Sequence, residues 1–216
     1  MPAIVPTITT DKPEIYTTNL QEFSKFSKRI HIDASDGTLA PTQLLPLSQI
    51  QPVGEGITLD IHVMSARPSE HLADVLRIKP SLCIIHAEVD DNIQDLFAKL
   101  KAAGIKVGVA LLKTTFPKHV QERIAMSDHV MIFAGELGSQ GGALDSLQME
   151  KVPLVRAIKQ DLEIGWDGGV NLSNIRAVAH SGVDVINVGS AITNAPDKAA
   201  MYQSLLAESE KKGVLI

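Results

Sequence analysis

Histidine and aspartate recur at short, regular spacing in three apolar segments of the chain. His31-Ile32-Asp33 and Asp60-Ile61-His62 each place two of them two positions apart, and Asp167 ends a third segment. Alternate side chains of a β-strand point to the same side, so the members of each pair face the same way. Imidazole and carboxylate groups are shared ligand types of zinc, manganese and iron. The pattern therefore predicts a divalent-metal site made by His31, Asp33, His62 and Asp167.

A structural explanation competes with this interpretation for each residue taken singly. A lone histidine is often a hydrogen-bonded core residue, and an aspartate after a strand often caps the helix or turn that follows. Polar side chains in phase at the ends of buried strands are costly unless they meet a ligand or one another. Four of them in register therefore favour a functional site over four separate structural roles.

The elements that carry these residues follow from the alternation along the chain. Short runs rich in valine and isoleucine alternate with longer segments of helical spacing, which is typical of a parallel sheet covered by helices. Helices are predicted at Asn92 to Ala103 and at Leu172 to His180, the second after a possible Asn171 cap, with glycine C-caps at Gly104, Gly182 and Gly213. Eight strands are predicted, at Ala3 to Ile8, Arg29 to Asp33, Ile57 to Val63, Leu82 to His86, Lys106 to Leu111, His129 to Phe133, Leu162 to Trp166 and Val185 to Val188.

The positions of the glycines distinguish a closed barrel from an open sheet. The first strand leads into Thr7-Ile8-Thr9-Thr10-Asp11, which lacks the glycines of a dinucleotide-binding fingerprint or a P-loop. The candidate phosphate loops come late instead, at Gly168-Gly169 and at Gly189-Ser190, after the seventh and eighth predicted strands. Barrels bind phosphate with the loops after those two strands. We predict one α/β domain over residues 1–216, a (β/α)₈ TIM barrel.

Composition and charge exclude several classes of function. The net charge is −5, and no cluster of lysine and arginine interleaved with aromatic residues is present, so a nucleic-acid partner is not expected. The one cysteine, Cys83, lies in an apolar run, which excludes an internal disulfide and suits a reducing compartment. No basic, apolar leader opens the chain, and no stretch approaches the roughly eighteen apolar residues of a membrane span. We expect a cytoplasmic protein with a small-molecule substrate.

Four motifs in order along the chain resemble those of the ribulose-phosphate 3-epimerase family. They are His31-Ile32-Asp33-Ala34-Ser35-Asp36-Gly37 with Pro41, Leu59-Asp60-Ile61-His62-Val63-Met64, Asp167-Gly168-Gly169-Val170-Asn171, and Ala179 through Gly189-Ser190-Ala191-Ile192. The resemblance extends from Ile4-Val5-Pro6-Thr7 onward and covers essentially the whole chain. Asp-Gly-Gly alone would be a weak signal, but the combination is specific.

The resemblance implies a metal-dependent isomerase of carbohydrate metabolism acting on a ketose phosphate, most simply D-ribulose 5-phosphate. His31, Asp33, His62 and Asp167 would ligate a divalent cation (Zn, Mn, Fe or Co), and Asp33 and Asp167 would also exchange the C3 proton from opposite faces. Epimerisation needs such a pair, because one base removes the proton and an acid on the other face returns one. The implied substrate contacts are Thr7, His62, Gly138, Ser139, Gly168, Gly169, Gly189 and Ser190.

Some positions depart from the family pattern. The loop after the sixth strand reads Gly135-Glu136-Leu137-Gly138-Ser139-Gln140, where the family has Pro-Gly-Phe-Gly-Gly-Gln, so Glu136 brings a carboxylate toward the phosphate region. Ser35 stands where the family usually has methionine, which removes a hydrophobic wall beside the reacting carbon. These changes surround the substrate and spare the metal ligands. They leave a hexulose 6-phosphate as an alternative substrate.

Two further interpretations differ in the kind of protein they describe. Related barrels include sugar-phosphate decarboxylases with Asp-x-Lys-x-x-Asp in strand two, but the lysine position here is Ala34 or Ser35. A catalytically silent sugar-phosphate-binding barrel is a second alternative, against which the intact set of four polar residues argues. The resemblance also implies a homo-oligomer, a dimer or larger.

Overall fold

Eight parallel β-strands close into a barrel in the computed structural model of the chain, which describes residues 1–137 and 141–212. Each strand pairs with its neighbour in sequence, and β8 pairs with β1. The predicted (β/α)₈ barrel is confirmed, and the predicted strands agree with the observed ones to within two residues. The strands are β1 (Ala3–Ile8), β2 (Arg29–Ser35), β3 (Thr58–Met64), β4 (Leu82–His86), β5 (Lys106–Leu111), β6 (His129–Phe133), β7 (Glu163–Asp167) and β8 (Val185–Val188).

Helices surround the barrel on all sides but one. The connection from β2 to β3 contains a 3₁₀ turn at Leu47–Gln49 and no α-helix. Its sequence explains this, because prolines at 41, 46 and 52 remove backbone donors that a helix needs. The α-helices are α1 (Pro13–Phe23), α2 (Leu72–Ile78), α3 (Ile93–Ala102), α4 (Gln121–Met126), α5 (Lys151–Ile158), α6 (Ile175–His180), α7 (Ser190–Thr193) and α8 (Lys198–Ser209).

The predicted helix ends are largely confirmed. The Asn92 side chain accepts a hydrogen bond from the backbone N–H of Asp95, which caps α3. Gly104 and Gly182 have positive φ after their helices, whereas Gly213 lies outside the described residues. Asn171 accepts from the N–H of Ser173 in a turn, so α6 begins three residues later than predicted. No helix in the described part of the chain has the length and apolarity to cross a membrane.

Charged side chains fill the N-terminal end of the barrel. Arg29 donates to Asp60 at 2.6 Å and to both carboxylate oxygens of Glu163 at 2.9 Å. Glu163 also contacts His129 Nδ1 at 2.7 Å. Gly165 leaves room for the imidazole, since a Cβ there would lie 2.6 Å from His129 Nε2. This network occupies the N-terminal end, and the C-terminal end, called the mouth below, is where barrel enzymes carry their active sites.

Candidate active site and metal centre

Strand register brings the predicted metal ligands together at the mouth. Asp33 on β2 is paired with His62 on β3, and His31 lies two residues earlier on the same face. Asp167 ends β7 on the other side of the barrel. One ligand atom from each of these four residues lies within 4.8 Å of all the others. Asp60, which shares the motif of His62, instead faces the N-terminal end and binds Arg29.

Distances in this cluster place Asp33 at its centre. Its Oδ1 lies 3.0 Å from His62 Nδ1 and 3.3 Å from His31 Nε2. His31 Nε2 is 3.9 Å from Asp167 Oδ2, and it is buried with no hydrogen-bond partner among the described residues. Two imidazoles and two carboxylates are a common donor set for zinc, manganese or iron. The geometry can hold a divalent cation, although the ligand roles themselves remain predictions.

A short hydrogen bond holds the second oxygen of Asp33. The hydroxyl of Thr9, just after β1, donates to Asp33 Oδ2 at 2.5 Å. Sequence reasoning did not select Thr9, because the contact spans two strands and no local pattern marks it. Asp33 thus presents one oxygen to the histidines and the other to Thr9.

Three more polar residues support the cluster and were also missed. His86 at the end of β4 places Nε2 at 2.8 Å from His62 Nε2, and its Nδ1 lies 3.4 Å from Glu88 Oε2. Asn187 on β8 places its side-chain nitrogen 3.3 Å from His31 Nδ1. One signal was available, because His86-Ala87-Glu88 repeats the histidine-x-acid spacing of His31-Ile32-Asp33.

The two aspartates have pKa values displaced in opposite directions. Burial raises the pKa of Asp33, but the adjacent imidazoles of His31 and His62 outweigh this effect and hold the pKa well below its usual range. Burial and the negative charge of Asp33 raise the pKa of Asp167 to about 7, against the opposing effect of His31. Near neutral pH Asp33 is therefore ionised, whereas Asp167 exchanges between its protonated and ionised forms. A base and an acid that act as a pair need such a difference.

The pKa values of the two histidines, His31 and His62, are also displaced in opposite directions. Burial lowers the pKa of His62 to about 4, despite its hydrogen bond with Asp33. Burial also disfavours a charged His31, but the nearby carboxylates of Asp33 and Asp167 outweigh this effect and raise the pKa of His31. His62 is therefore a neutral imidazole, in which one of the two ring nitrogens carries the lone pair that a metal ligand needs.

A cavity opens beside the cluster, and most of the residues predicted to contact substrate line it. Asp33 and Asp167 line it, and Met64 and Phe133 supply an apolar wall, whereas Ser35 does not line it. His62 is fully buried below the cavity. Gly138 and Ser139 lie outside the described residues. The predicted contacts that do line the cavity are Thr7, Gly168, Gly169, Gly189 and Ser190.

The Gly168-Gly169 pair also has a packing role. Both residues have positive φ, 110° and 72°. A Cβ on Gly168 would lie 2.2 Å from the backbone nitrogen of Gly135, and one on Gly169 would lie 2.5 Å from that of Leu144. These glycines therefore let the loop after β7 pack against the segments that follow β6, and they leave backbone groups exposed toward the cavity.

Glu136 does not contribute a carboxylate to the cavity wall. Its side chain is 72% exposed, and it forms an ion pair with Lys113 in the loop after β5. The residue is absent from the cavity lining. The carboxylate that the sequence brings toward the phosphate region therefore lies outside the cavity wall, and the charge of Lys113 offsets its negative charge.

The sequence profile of the ribulose-phosphate 3 epimerase family matches residues 3–193. The cytoplasmic isoform of ribulose-phosphate 3-epimerase from Oryza sativa subsp. japonica is 29% identical over 182 residues, 82% of this chain and 80% of the relative. Ribulose-phosphate 3-epimerase from Buchnera aphidicola is 26% identical over 178 residues, 78% of each chain.

Solved structures support the fold independently. 3-Hexulose-6-phosphate synthase from Salmonella typhimurium superposes with a TM-score of 0.73 at 15% identity, over 96% of this chain and 98% of the other. Mycobacterium tuberculosis tryptophan synthase gives 0.71 at 15% identity, over 98% and 93%. At such low identity these matches show a shared barrel and nothing about chemistry.

Proposed function

Because the chain belongs to the ribulose-phosphate 3-epimerase family, we propose that it interconverts D-ribulose 5-phosphate and D-xylulose 5-phosphate. One observation supports this proposal most strongly. Asp33 at the mouth end of β2 and Asp167 at the end of β7 line the same cavity, and their pKa values are displaced in opposite directions. An enzyme that inverts a carbon centre through proton transfer needs such a base and such an acid.

The proposed proton transfer uses each aspartate once in each direction. The ionised Asp33 removes the C3 proton from one face, and the electron pair moves toward the C2 carbonyl to form an enediolate. Protonated Asp167 then gives a proton to C3 from the other face, which inverts the centre. The reverse reaction exchanges the two roles. Thr9 holds Asp33 Oδ2 in place, and Met64 and Phe133 exclude water beside the reacting carbon.

We further propose that His31, Asp33, His62 and Asp167 hold one divalent cation of zinc, manganese, iron or cobalt. The unpartnered His31 Nε2 and the convergence of the four ligand atoms support this assignment. Such an ion supplies positive charge next to the oxygens that become negative when the proton leaves. His31→Ala and His62→Ala should each deplete bound metal, and His71→Ala, outside the cluster, should not. Unchanged metal content in both cluster variants would show the assignment to be wrong.

The phosphate group is proposed to lie against the backbone of the late loops. Gly168 and Gly169 present backbone groups there without side chains. Gly189 directly precedes α7 and Ser190 begins it, after β8, the strand next to β7. Gly138 and Ser139 remain predicted contacts of the same group. Ser139, which departs from the family pattern, keeps a hexulose 6-phosphate as the second candidate substrate, whereas Ser35 lies outside the cavity lining and does not support it.

One assay tests the proposed activity and separates the two substrates. Metal-loaded protein is incubated with D-ribulose 5-phosphate or with a hexulose 6-phosphate, and the C3 epimer of each is measured. We expect turnover of the pentulose phosphate, and a larger kcat/KM for it than for the hexulose. A preference for the hexulose would reassign the substrate, and turnover of neither would favour the silent sugar-phosphate-binding barrel.

A further inference from the structure

Four side chains form a row that runs from the cavity into the barrel wall. Asp33 Oδ1 lies 3.0 Å from His62 Nδ1, His62 Nε2 lies 2.8 Å from His86 Nε2, and His86 Nδ1 lies 3.4 Å from Glu88 Oε2. Both imidazoles are fully buried, whereas the Asp33 and Glu88 side chains are 10% and 21% exposed. The row therefore has a carboxylate at each end and two histidines between them.

The number of hydrogens in this row limits its arrangement. The first two gaps are hydrogen-bond distances, and the third joins two buried atoms, His86 Nδ1 and Glu88 Oε2, that have no other hydrogen-bond partner among the described residues. Each gap therefore faces two lone-pair atoms toward one another and needs a hydrogen or a cation between them. A neutral imidazole carries one hydrogen, and two neutral rings supply only two. The carboxylates at the two ends offer acceptor oxygens and no hydrogen. The third bridge must be an added proton or a cation.

The Asp33 end is where a cation fits. His31 and Asp167 converge there with Asp33 and His62, whereas no other acid or histidine joins Glu88 and His86 in a described cluster of potential ligands. A cation held by Asp33 and His62 would take the place of a hydrogen in the first gap and would leave one hydrogen for each of the other two. His62 Nε2–H then donates to His86 Nε2, and His86 Nδ1–H donates to Glu88.

We propose that His86 and Glu88 are positioning residues that fix His62 in the tautomer whose Nδ1 lone pair faces the metal. This inference rests on the proposed metal site and adds two residues that were not among the predicted ligands. Carboxylates that accept the remaining N–H of a ligating histidine commonly orient it and raise its basicity. Here the effect passes through a second histidine.

Glu88 is itself held so that one oxygen faces His86. Its Oε1 accepts the backbone N–H of Leu112 at 3.0 Å. Buried Lys151 fixes the same loop by donating to the carbonyls of Leu112 and Lys113 at 2.6 and 3.1 Å. Because Oε1 is occupied by Leu112, Oε2 is the oxygen available to His86.

This arrangement makes Glu88→Gln an unusually specific change. The glutamine oxygen must face the Leu112 N–H, so the amide NH₂ faces His86 Nδ1. His86 Nδ1 then accepts, Nε2–H points at His62 Nε2, and His62 carries its hydrogen on Nδ1. The variant keeps the volume of the side chain and reverses the order of donors along the row. His62 Nδ1 is then no longer a ligand without a tautomer change.

Metal affinity gives the first test, with Glu163→Gln as the matched control. Glu163 contacts His129 Nδ1 at the opposite end of the barrel, and its replacement disturbs a comparable histidine–carboxylate contact. Titration of metal-free protein with Zn²⁺ should show about 10- to 100-fold weaker binding in Glu88→Gln than in the wild type. Glu163→Gln should bind as the wild type does. Equal affinities in all three proteins, or equal loss in both variants, would overturn the proposal.

Nitrogen-15 NMR of the histidine rings gives a second test that does not depend on a variant or on activity. In zinc-loaded wild-type protein we expect His86 to be protonated at Nδ1 and His62 to be protonated at Nε2 only. In metal-free Glu88→Gln we expect His86 protonated at Nε2. A zinc-loaded protein with unprotonated His86 Nδ1 would refute the positioning role even though metal binds. A wild-type protein that binds no metal would refute the proposed metal site, while His86 in Glu88→Gln would still report on the row.

Discussion

The two oxygens of Asp33 have different surroundings, and this difference defines its proposed role. Oδ1 faces His31 and His62, while Oδ2 accepts the hydroxyl hydrogen of Thr9 at 2.5 Å. One oxygen is therefore placed to bind a cation and the other to face substrate in a fixed direction. Accurate placement of a base by neighbouring hydrogen bonds is a large part of proton-transfer catalysis.

Removing the Thr9 hydroxyl tests this placement. Thr9→Val keeps the side-chain shape but loses the donor to Asp33, so kcat should fall by about tenfold to a hundredfold, the effect of a hydrogen bond to a charged group. Thr10→Val is the control, because that hydroxyl accepts from the exposed backbone N–H of Lys12 and has no other partner among the described residues. Steady-state kinetics of both variants decide the question. Full kcat in Thr9→Val would mean that Asp33 needs no support from Thr9.

The residues that sequence reasoning found and those it missed differ in the range of their contacts. His31, Asp33 and His62 were found because alternation along one strand is a local pattern. Thr9 was not, since its partner is 24 positions away in sequence, and Asn187 lies 156 positions from His31. Such contacts exist only after the barrel has closed. Asp60 shares the local pattern of His62 but faces the other end of the barrel.

At the scale of elements, strands were easier to predict than their connections. Strands in a parallel barrel are buried on both faces, so each is a short apolar run. The connection from β2 to β3 gives no such signal, and its prolines leave only the 3₁₀ turn at Leu47–Gln49. The loops that line the cavity depend on close backbone approaches, which glycine permits but does not by itself predict.

Gly168→Ala tests how strongly the loop after β7 depends on such an approach. The new Cβ would overlap the backbone of Gly135 in addition to adopting a positive φ. We expect a loss of about 3 kcal/mol or more in the free energy of unfolding, together with lower kcat because Asp167 is adjacent. Gly104→Ala is the matched control, with positive φ but no atom within 4 Å of the new Cβ, and should cost about 1 kcal/mol. If denaturant unfolding gave equal losses in the free energy of unfolding for the two substitutions, the positive φ alone would explain the cost of replacing Gly168.

At the scale of the whole molecule, the two ends of the barrel interior have different proposed roles, one in stability and the other in catalysis. The N-terminal end is closed by Arg29, Glu163 and their partners, and the C-terminal end holds the proposed site. Burial raises the pKa of Glu163, but hydrogen bonds from Arg29 and His129 outweigh it and lower the pKa below its ordinary 4.5. Its contribution to stability is therefore present above about pH 4.5 and is lost as the pH falls through the lowered pKa.

Glu163→Gln tests whether this carboxylate contributes to stability without contributing to catalysis. At pH 7 the variant should be less stable by about 1 to 2 kcal/mol, a value reduced for the partial exposure of the carboxylate. The difference from wild type should shrink as the pH falls below about 4.5, because the unfolded wild-type chain then binds a proton at Glu163 while the folded carboxylate is still ionised. Chemical denaturation across this pH range measures it, and kcat at neutral pH should be retained. A difference in stability that does not change with pH would exclude the carboxylate charge as its cause.

The central claim is that Asp33 and Asp167 exchange the C3 proton from opposite faces, and deuterium exchange tests it most directly. Asp33→Asn and Asp167→Asn should each lower turnover by about two to four orders of magnitude, because the amide cannot transfer the proton. In deuterated water, each variant retains one base and should wash deuterium into C3 of one epimer without forming the other. The account predicts opposite epimer preferences in the two variants. Equal loss of exchange from both epimers in both variants would contradict it and indicate a single shared base.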